Sequence, residues 1–178
     1  MRADAQRNLD LVLGAAQECF AEGGIDVSID EVARRAGVGH GTVFRRFPTK
    51  EALIEAVLGK ELDRQLLLAQ AALAEKDEWE GFATFFRDVA AGYARNRALV
   101  ESKELCKGLP QMAAVQDAAR ELVRRAQKAG VLRRDITADE ISELIPAASR
   151  FPEVILDGLR GEAGVQRLRP KPGAGVGR

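Results

Sequence analysis

Histidine occurs once in this chain, at position 40, and tryptophan and tyrosine occur once each. One histidine leaves little material for acid–base or metal chemistry. The two cysteines, Cys19 and Cys106, stand far apart and lack metal-ligand spacing. Two reduced thiols in a cytoplasmic protein is the reading they support. The chain has no Gly-x-Gly-x-x-Gly, no phosphate loop and no nucleophile elbow, so no catalytic residue, metal site or cofactor is expected. No apolar run is long enough to cross a bilayer. The opening Met-Arg-Ala-Asp-Ala-Gln-Arg-Asn has no apolar signal core. The expected location is therefore cytoplasmic, with no membrane partner. Net charge is absent too, since 27 basic residues balance 27 acidic ones.

Against that neutral background, residues 28–50 stand out. From Val32 to Lys50 there is no Asp or Glu, while Arg34, Arg35, Arg45, Arg46 and Lys50 all fall there, with His40. Ser28 followed by Glu31 has the spacing of a capping box. Ile29, Val32, Ala33 and Ala36 share one helical face, and Gly37 suits a helix stop at positive φ. His40 to Phe47 fit a second helix with Val43, Phe44 or Phe47 as its buried side, ended by Pro48. Two short helices joined by a glycine turn, the second of them basic, form a helix-turn-helix, whose second helix enters the DNA major groove. A cationic stripe on a neutral protein is what a phosphate-facing surface requires. An ordinary hairpin with a solvated basic face would explain the charge alone, but not the caps, turn and apolar spacing together.

The rest reads as helix, with no convincing strand. Asn8–Glu22 is amphipathic and ends at Gly23-Gly24. Thr49 caps a long helix reaching about Ala74, with Leu53, Ile54, Val57, Leu58, Leu62, Leu66 and Ala69 as its apolar stripe. A second domain begins near Asp77. Trp79, Phe82, Phe86, Val89, Ala90 and Tyr93 repeat at helical spacing on a helix ending near Asn96. Further helices are expected over 98–109, 114–129 (closed by Gly130), 139–148 (capped by Thr137) and 152–160. The fold class is all-α. The expected division is a DNA-binding head at 1–48 with the start of the linking helix at 49–60, a helical domain at 61–160, and a flexible Gly/Pro/Arg tail at 161–178.

At this point the chain resembles the tetracycline-repressor (TetR) family of bacterial transcription regulators, in its actinobacterial form. The carriers are Ala15-Ala16, Phe20-Ala21-Glu22-Gly23-Gly24, Val32-Ala33-x-x-Ala36-Gly37-Val38, and the run Gly41-Thr42-Val43-Phe44-Arg45-Arg46-Phe47-Pro48-Thr49-Lys50-Glu51-Ala52-Leu53. The opening Arg-Ala-Asp-Ala-Gln-Arg-Asn is similar to the arm before the first helix of such members. The resemblance implies base contacts from His40, Gly41 and Thr42, a guanine or phosphate contact from Arg45, and a phosphate contact from Lys50. Backbone N–H groups at Ser28 and Thr49 offer further phosphate sites. With Phe44 and Arg46 these complete the candidate DNA-contacting set. Gly39 stands where many members cap the recognition helix with Ser or Thr. Phe44 stands where many have tyrosine and lacks the phosphate-bonding hydroxyl.

In the second domain the resemblance is one of architecture: helical, ligand-binding and dimer-forming. It implies a homodimer on double-stranded operator DNA, joined through residues 139–148 and 152–160. The candidate pocket residues for an unidentified small-molecule effector are Phe82, Phe86, Val89, Tyr93, Leu105, Cys106 and Met112. Periodicity does not separate a pocket wall from packed core. The leading functional expectation is a repressor released from DNA by a small, mostly apolar ligand. The alternatives are a constitutive or protein-partner-controlled regulator and, last, a small helical enzyme.

Overall fold

The computed structural model describes residues 2–96 and 101–162. Among them the structure is helical, without a named strand: α1 (Arg2–Gly23), a 3-10 turn (Gly24–Asp26), α2 (Ile29–Ala36), α3 (His40–Arg46), α4 (Lys50–Ala74), α5 (Glu78–Arg95), α6 (Lys103–Lys107), α7 (Pro110–Lys128), α8 (Ala138–Glu143), α9 (Ile145–Ala148) and α10 (Pro152–Leu159). No helix among the described residues is long and apolar enough to cross a membrane. The expected tail lies almost wholly outside the described residues, as do positions 98–100 of the expected 98–109 helix.

Local chemistry explains most of the boundaries. Thr49 Oγ1 accepts from the Ala52 N–H at 3.1 Å, and Asp77 Oδ1 accepts from Trp79 and Glu80 N–H at 2.9 and 3.1 Å, so α4 and α5 both start on side-chain caps. Thr137 and Glu140 form a complete capping box at α8. At the end of α7, Gly130 takes φ 74°, while Val131 N–H donates to Ala126 and Gly130 N–H to Gln127. That pair of bonds is a Schellman stop.

Three boundaries differ from the sequence expectation. α1 begins at Arg2 rather than Asn8, because its first turns are helix formers without an apolar stripe. α7 begins at Pro110 rather than Ala114. Proline at the first helical position forfeits an N–H that has no intrahelical partner anyway. The expected 139–148 helix is two, parted at Leu144, with Pro146 in the first turn of the second.

The buried residues form three clusters. The first joins Val12, Ala16, Cys19 and Phe20 of α1 to Val32 and Val43 of the helix pair and to Leu53, Ile54, Val57 and Leu58 of α4, and it also takes in Cys106. The second packs Trp79, Phe82 and Phe86 of α5 against Ile141, Ala148, Leu156 and Leu159. The third joins Leu62 and Ala69 of α4 to Phe85, Val115 and Leu122. The second cluster is closed by Arg160, whose guanidinium lies 4.0 Å over the Trp79 ring, and by the Arg87–Glu153 ion pair at 2.7 Å. Between α4 and α5 lies a buried carboxylate, Glu61, held by Arg64 at 2.6 and 3.0 Å. Gly92 makes room for this pair, since a Cβ there would stand 2.8 Å from Arg64 Nη2.

The turn between α2 and α3 depends on Gly37 at φ 68°. An L side chain in the left-handed region costs about 1–2 kcal/mol. Open space surrounds its would-be Cβ, so Gly37→Ala should lower unfolding stability through backbone strain alone. Urea denaturation is expected to show a loss of roughly that size with an unchanged m-value.

Candidate nucleic-acid interface

The two helices of the head are locked by a Schellman turn. Val38 N–H donates to Ala33 O at 3.1 Å and Gly37 N–H to Arg34 O at 3.2 Å. Ala33 is buried, and its small side chain permits the close crossing of α3. On α3, Val43 is fully buried and Phe47, at the C-cap, is nearly so. Of the three expected core candidates on this helix, Phe44 points the other way and is 51% exposed. It stacks on His40, with ring centroids 5.9 Å apart and planes 16° from parallel. His40, Gly41, Arg45 and Arg46 are exposed, and Thr42 is half-buried.

Ser28 Oγ accepts from Glu31 N–H at 3.2 Å, as expected of an N-cap. The reciprocal half of the capping box is replaced: the Glu31 carboxylate turns to Arg34 instead. That hydrogen bond holds the Glu31 carboxyl below its ordinary pKa. Arg35 pairs with Glu22 at 2.8 Å and lowers the Glu22 carboxyl in the same way. Two of the five cations of the sequence stripe are thus compensated. Arg45, Arg46 and Lys50 form no ion pair with any described residue. Thr49 and Lys50 begin α4 directly after α3, and the Ser28 and Thr49 hydroxyls, each accepting a cap bond, keep a proton to donate.

The structure therefore places every candidate DNA contact on the head: on α3, at the start of α2, or at the start of α4. Gly41 is exposed, and nothing lies within 4 Å of a Cβ built there. Besides the Glu31–Arg34 and Glu22–Arg35 ion pairs, a further contact escaped the sequence reading. Asp30 Oδ1 lies 2.5 Å from His40 Nδ1 and ties the first turn of α2 to the first turn of α3. Only the ten-residue separation could have hinted at it.

The candidate pocket residues do not converge in the same way. Phe82 and Phe86 lie in the second cluster. Val89 packs against the third, and Met112 touches both the first and the third. Cys106 is buried in the head cluster, Tyr93 is half-buried on α5, and Leu105 is exposed. Two open depressions, of ≈ 600 and ≈ 400 Å³, are lined by other residues: one by Glu78, Glu121, Arg124, Arg125 and Lys128, the other chiefly by Asp10, Glu55, Lys60 and Gln111. Burial raises the pKa of both thiols, Cys19 and Cys106, as in inert packed cysteines.

Comparison with known proteins agrees with this anatomy. The sequence profile "Bacterial regulatory proteins, tetR family" matches residues 12–57, and "Transcriptional regulator SbtR-like, C-terminal domain" matches 77–164. A TetR transcription regulatory protein from Mycobacterium vanbaalenii is 40% identical, with a TM-score of 0.66 over 89% of this chain and 98% of that one. The regulator SCO0520 from Streptomyces coelicolor is 30% identical, with a TM-score of 0.59 over 86% and 98%. The HTH-type transcriptional regulator SAR0097 of Staphylococcus aureus (strain MRSA252) is 33% identical over 81 residues, which is 44% of this chain and 42% of that protein. The match thus spans about two fifths of that curated relative. Head and helical domain together match solved members along nearly their whole length, and the chain belongs to the TetR family of bacterial transcriptional regulators.

Proposed function

We propose that this chain is a homodimeric, sequence-specific regulator, a repressor released from its operator by a small, mostly apolar molecule. The observation that carries the DNA-binding part is the exposed face of α3, with Arg45 and Arg46 uncompensated and Lys50 close behind. In this reading α3 enters the major groove. His40, Gly41 and Thr42 meet base edges, and Arg45 meets a guanine edge or a phosphate. Ser28, Arg46, Thr49 and Lys50 hold the backbone.

For the dimer, support comes from Phe151 and Val154, which are 62% and 71% exposed and three residues apart at the start of α10. Single exposed apolar residues are ordinary, but two on adjoining turns make a patch that a second copy would cover. For the effector, support comes from Met112 and Leu109, which pack against both the head cluster and the α4–α5–α7 cluster. A ligand wedged between Val89 and Met112 would act on both at once.

Three outcomes are expected. Fluorescence anisotropy with a duplex selected from a randomised pool should show Arg45→Ala costing about 1–3 kcal/mol, with relaxed base preference. Lys50→Ala should weaken all sequences alike and lower the salt slope by roughly one. Gly41→Ala should stabilise the fold, by up to about 1 kcal/mol of helix propensity, yet weaken operator binding. Wild-type affinity in a variant lacking both Arg45 and Lys50 would defeat the contact assignment.

Phe151→Asp combined with Val154→Asp should leave a folded monomer in sedimentation at micromolar concentration, where the wild type is a dimer.

A ligand found by thermal-shift screening should bind more weakly in calorimetry when operator is present, and by the factor with which it weakens operator binding. A coupling of about 1–3 kcal/mol is typical. Equal ligand affinity with and without operator would remove the switch.

A further inference from the structure

The α2–α3 contact that the sequence did not suggest has a consequence for base reading. His40 opens α3, and its ring meets two groups of different origin: the Asp30 carboxylate from α2 at 2.5 Å and the Phe44 ring one turn along α3 at 5.9 Å. All three side chains are exposed, Asp30 and His40 by 78% and 56%. A carboxylate only accepts, so Nδ1–H donates to Asp30, and Nε2 is the one ring nitrogen left for DNA.

The geometry points to Asp30 as a positioning residue for sequence reading, which holds His40 and, through it, the exposed Phe44 ring as one preordered unit for a single base pair of each half-site. The inference rests on the DNA-binding function proposed above. Charge argues that the role concerns specificity rather than affinity. An exposed carboxylate beside a phosphate-facing helix repels DNA, so nothing in the backbone-binding term favours it. Two other acidic groups near the head helices are engaged by cations, Glu31 by Arg34 and Glu22 by Arg35. On α3 itself Arg45 and Arg46 face outward without an acidic partner among the described residues. What Asp30 supplies is orientation. It fixes a ring that would otherwise be ordered only on binding, at an entropic cost. Phe44 then offers an apolar surface of the kind that contacts a thymine methyl, next to a histidine nitrogen that bonds an edge of the same base pair.

A plain structural staple between α2 and α3 is the competing explanation, and the two differ in sign. The full-length protein is used to select an operator duplex from a randomised pool. Wild type, Asp30→Asn, His40→Ala and the double variant are then titrated against that duplex, its single-base-pair substitutions and a scrambled duplex, at several salt concentrations. Thermal unfolding of each variant is followed alongside. Asp30→Asn should lose about tenfold of the discrimination at one base pair per half-site. Its affinity for the scrambled duplex should stay equal or rise, because a negative charge is gone, and its salt slope should be unchanged. The double variant should discriminate no worse than His40→Ala, since the carboxylate acts through the ring. Equal losses on operator and scrambled duplex, with lowered unfolding temperature, would make Asp30 a staple and overturn the inference. So would unchanged base-pair ratios in Asp30→Asn. If the wild type selects no sequence at all, the DNA-reading function itself falls, a result distinct from either of these.

Discussion

One helix, α4, belongs to two cores. Its first turns bury Leu53, Ile54, Val57 and Leu58 among the head helices, and its later turns bury Leu62 and Ala69 against α5 and α7. At 1.5 Å per residue its 25 residues span about 37 Å. The head is therefore not strung on a linker but built on one end of a rod. Gly59 sits where the two cores meet, and Gln111 of α7 comes within 3.4 Å of its would-be Cβ. Glycine inside a helix costs about 0.5–1 kcal/mol relative to alanine. A Cβ at position 59 would make only an ordinary van der Waals contact with the end of the Gln111 side chain, so packing at the joint does not offset the cost. The Glu61–Arg64 pair follows directly, and its buried carboxylate would be costly without both its partner and the space at Gly92.

A second tie joins head to helical domain. The Glu101 carboxylate accepts from Ile25 N–H at 3.0 Å, just after the end of α1. Gly24 permits this approach, since a Cβ there would stand 2.6 Å from Glu101 Oε2, and its φ of 71° is itself suited to glycine. A few residues later Cys106 enters the head core. The segment around α6 is thus anchored to the head by the Glu101 hydrogen bond and by the buried Cys106. Any displacement of α6 must either carry the end of α1 with it or break both.

What could be read in the sequence was mostly what is decided locally. Ser28, Gly37, Thr49, Gly130 and Thr137 start or stop helices through bonds made within a few residues, and residue type and spacing mark each of them, whereas Asp77 reads only as the start of the second domain. The first turns of α1 were missed because helix formers such as Ala3 and Ala5 leave no apolar stripe to detect. The start of α7 at Pro110 is not legible in the sequence, because a proline at a helix start and one at a helix end look alike without tertiary context. The direction of Phe44 was undecidable, since a seven-residue helix with Val43, Phe44 and Phe47 has more than one possible apolar side. The stripe on α5 was legible as buried, but not against what. Phe82 and Phe86 face α8–α10, whereas Val89 faces α4 and α7, so one periodic pattern feeds two cores and defines no single pocket.

The basic stretch shows the same division between composition and placement. Five cations in a stretch, Val32 to Lys50, that holds no Asp or Glu suggested one continuous positive stripe. In space, Glu22 and Glu31 come from outside the stretch and pair with Arg35 and Arg34. Exposed pairs of this kind add little stability, at most about 1 kcal/mol each. Their larger effect is on the field, because they cancel charge on α2 and leave it on α3 and at the start of α4. With a Debye length of about 8 Å at physiological ionic strength, the phosphates of a duplex respond mainly to charges within one or two contacts. Pairing the α2 arginines therefore narrows the attractive surface to the part of the head that also exposes His40, Gly41 and Phe44. Backbone attraction and base reading then draw on the same face, and a duplex held by Arg45, Arg46 and Lys50 is held where its sequence can be tested.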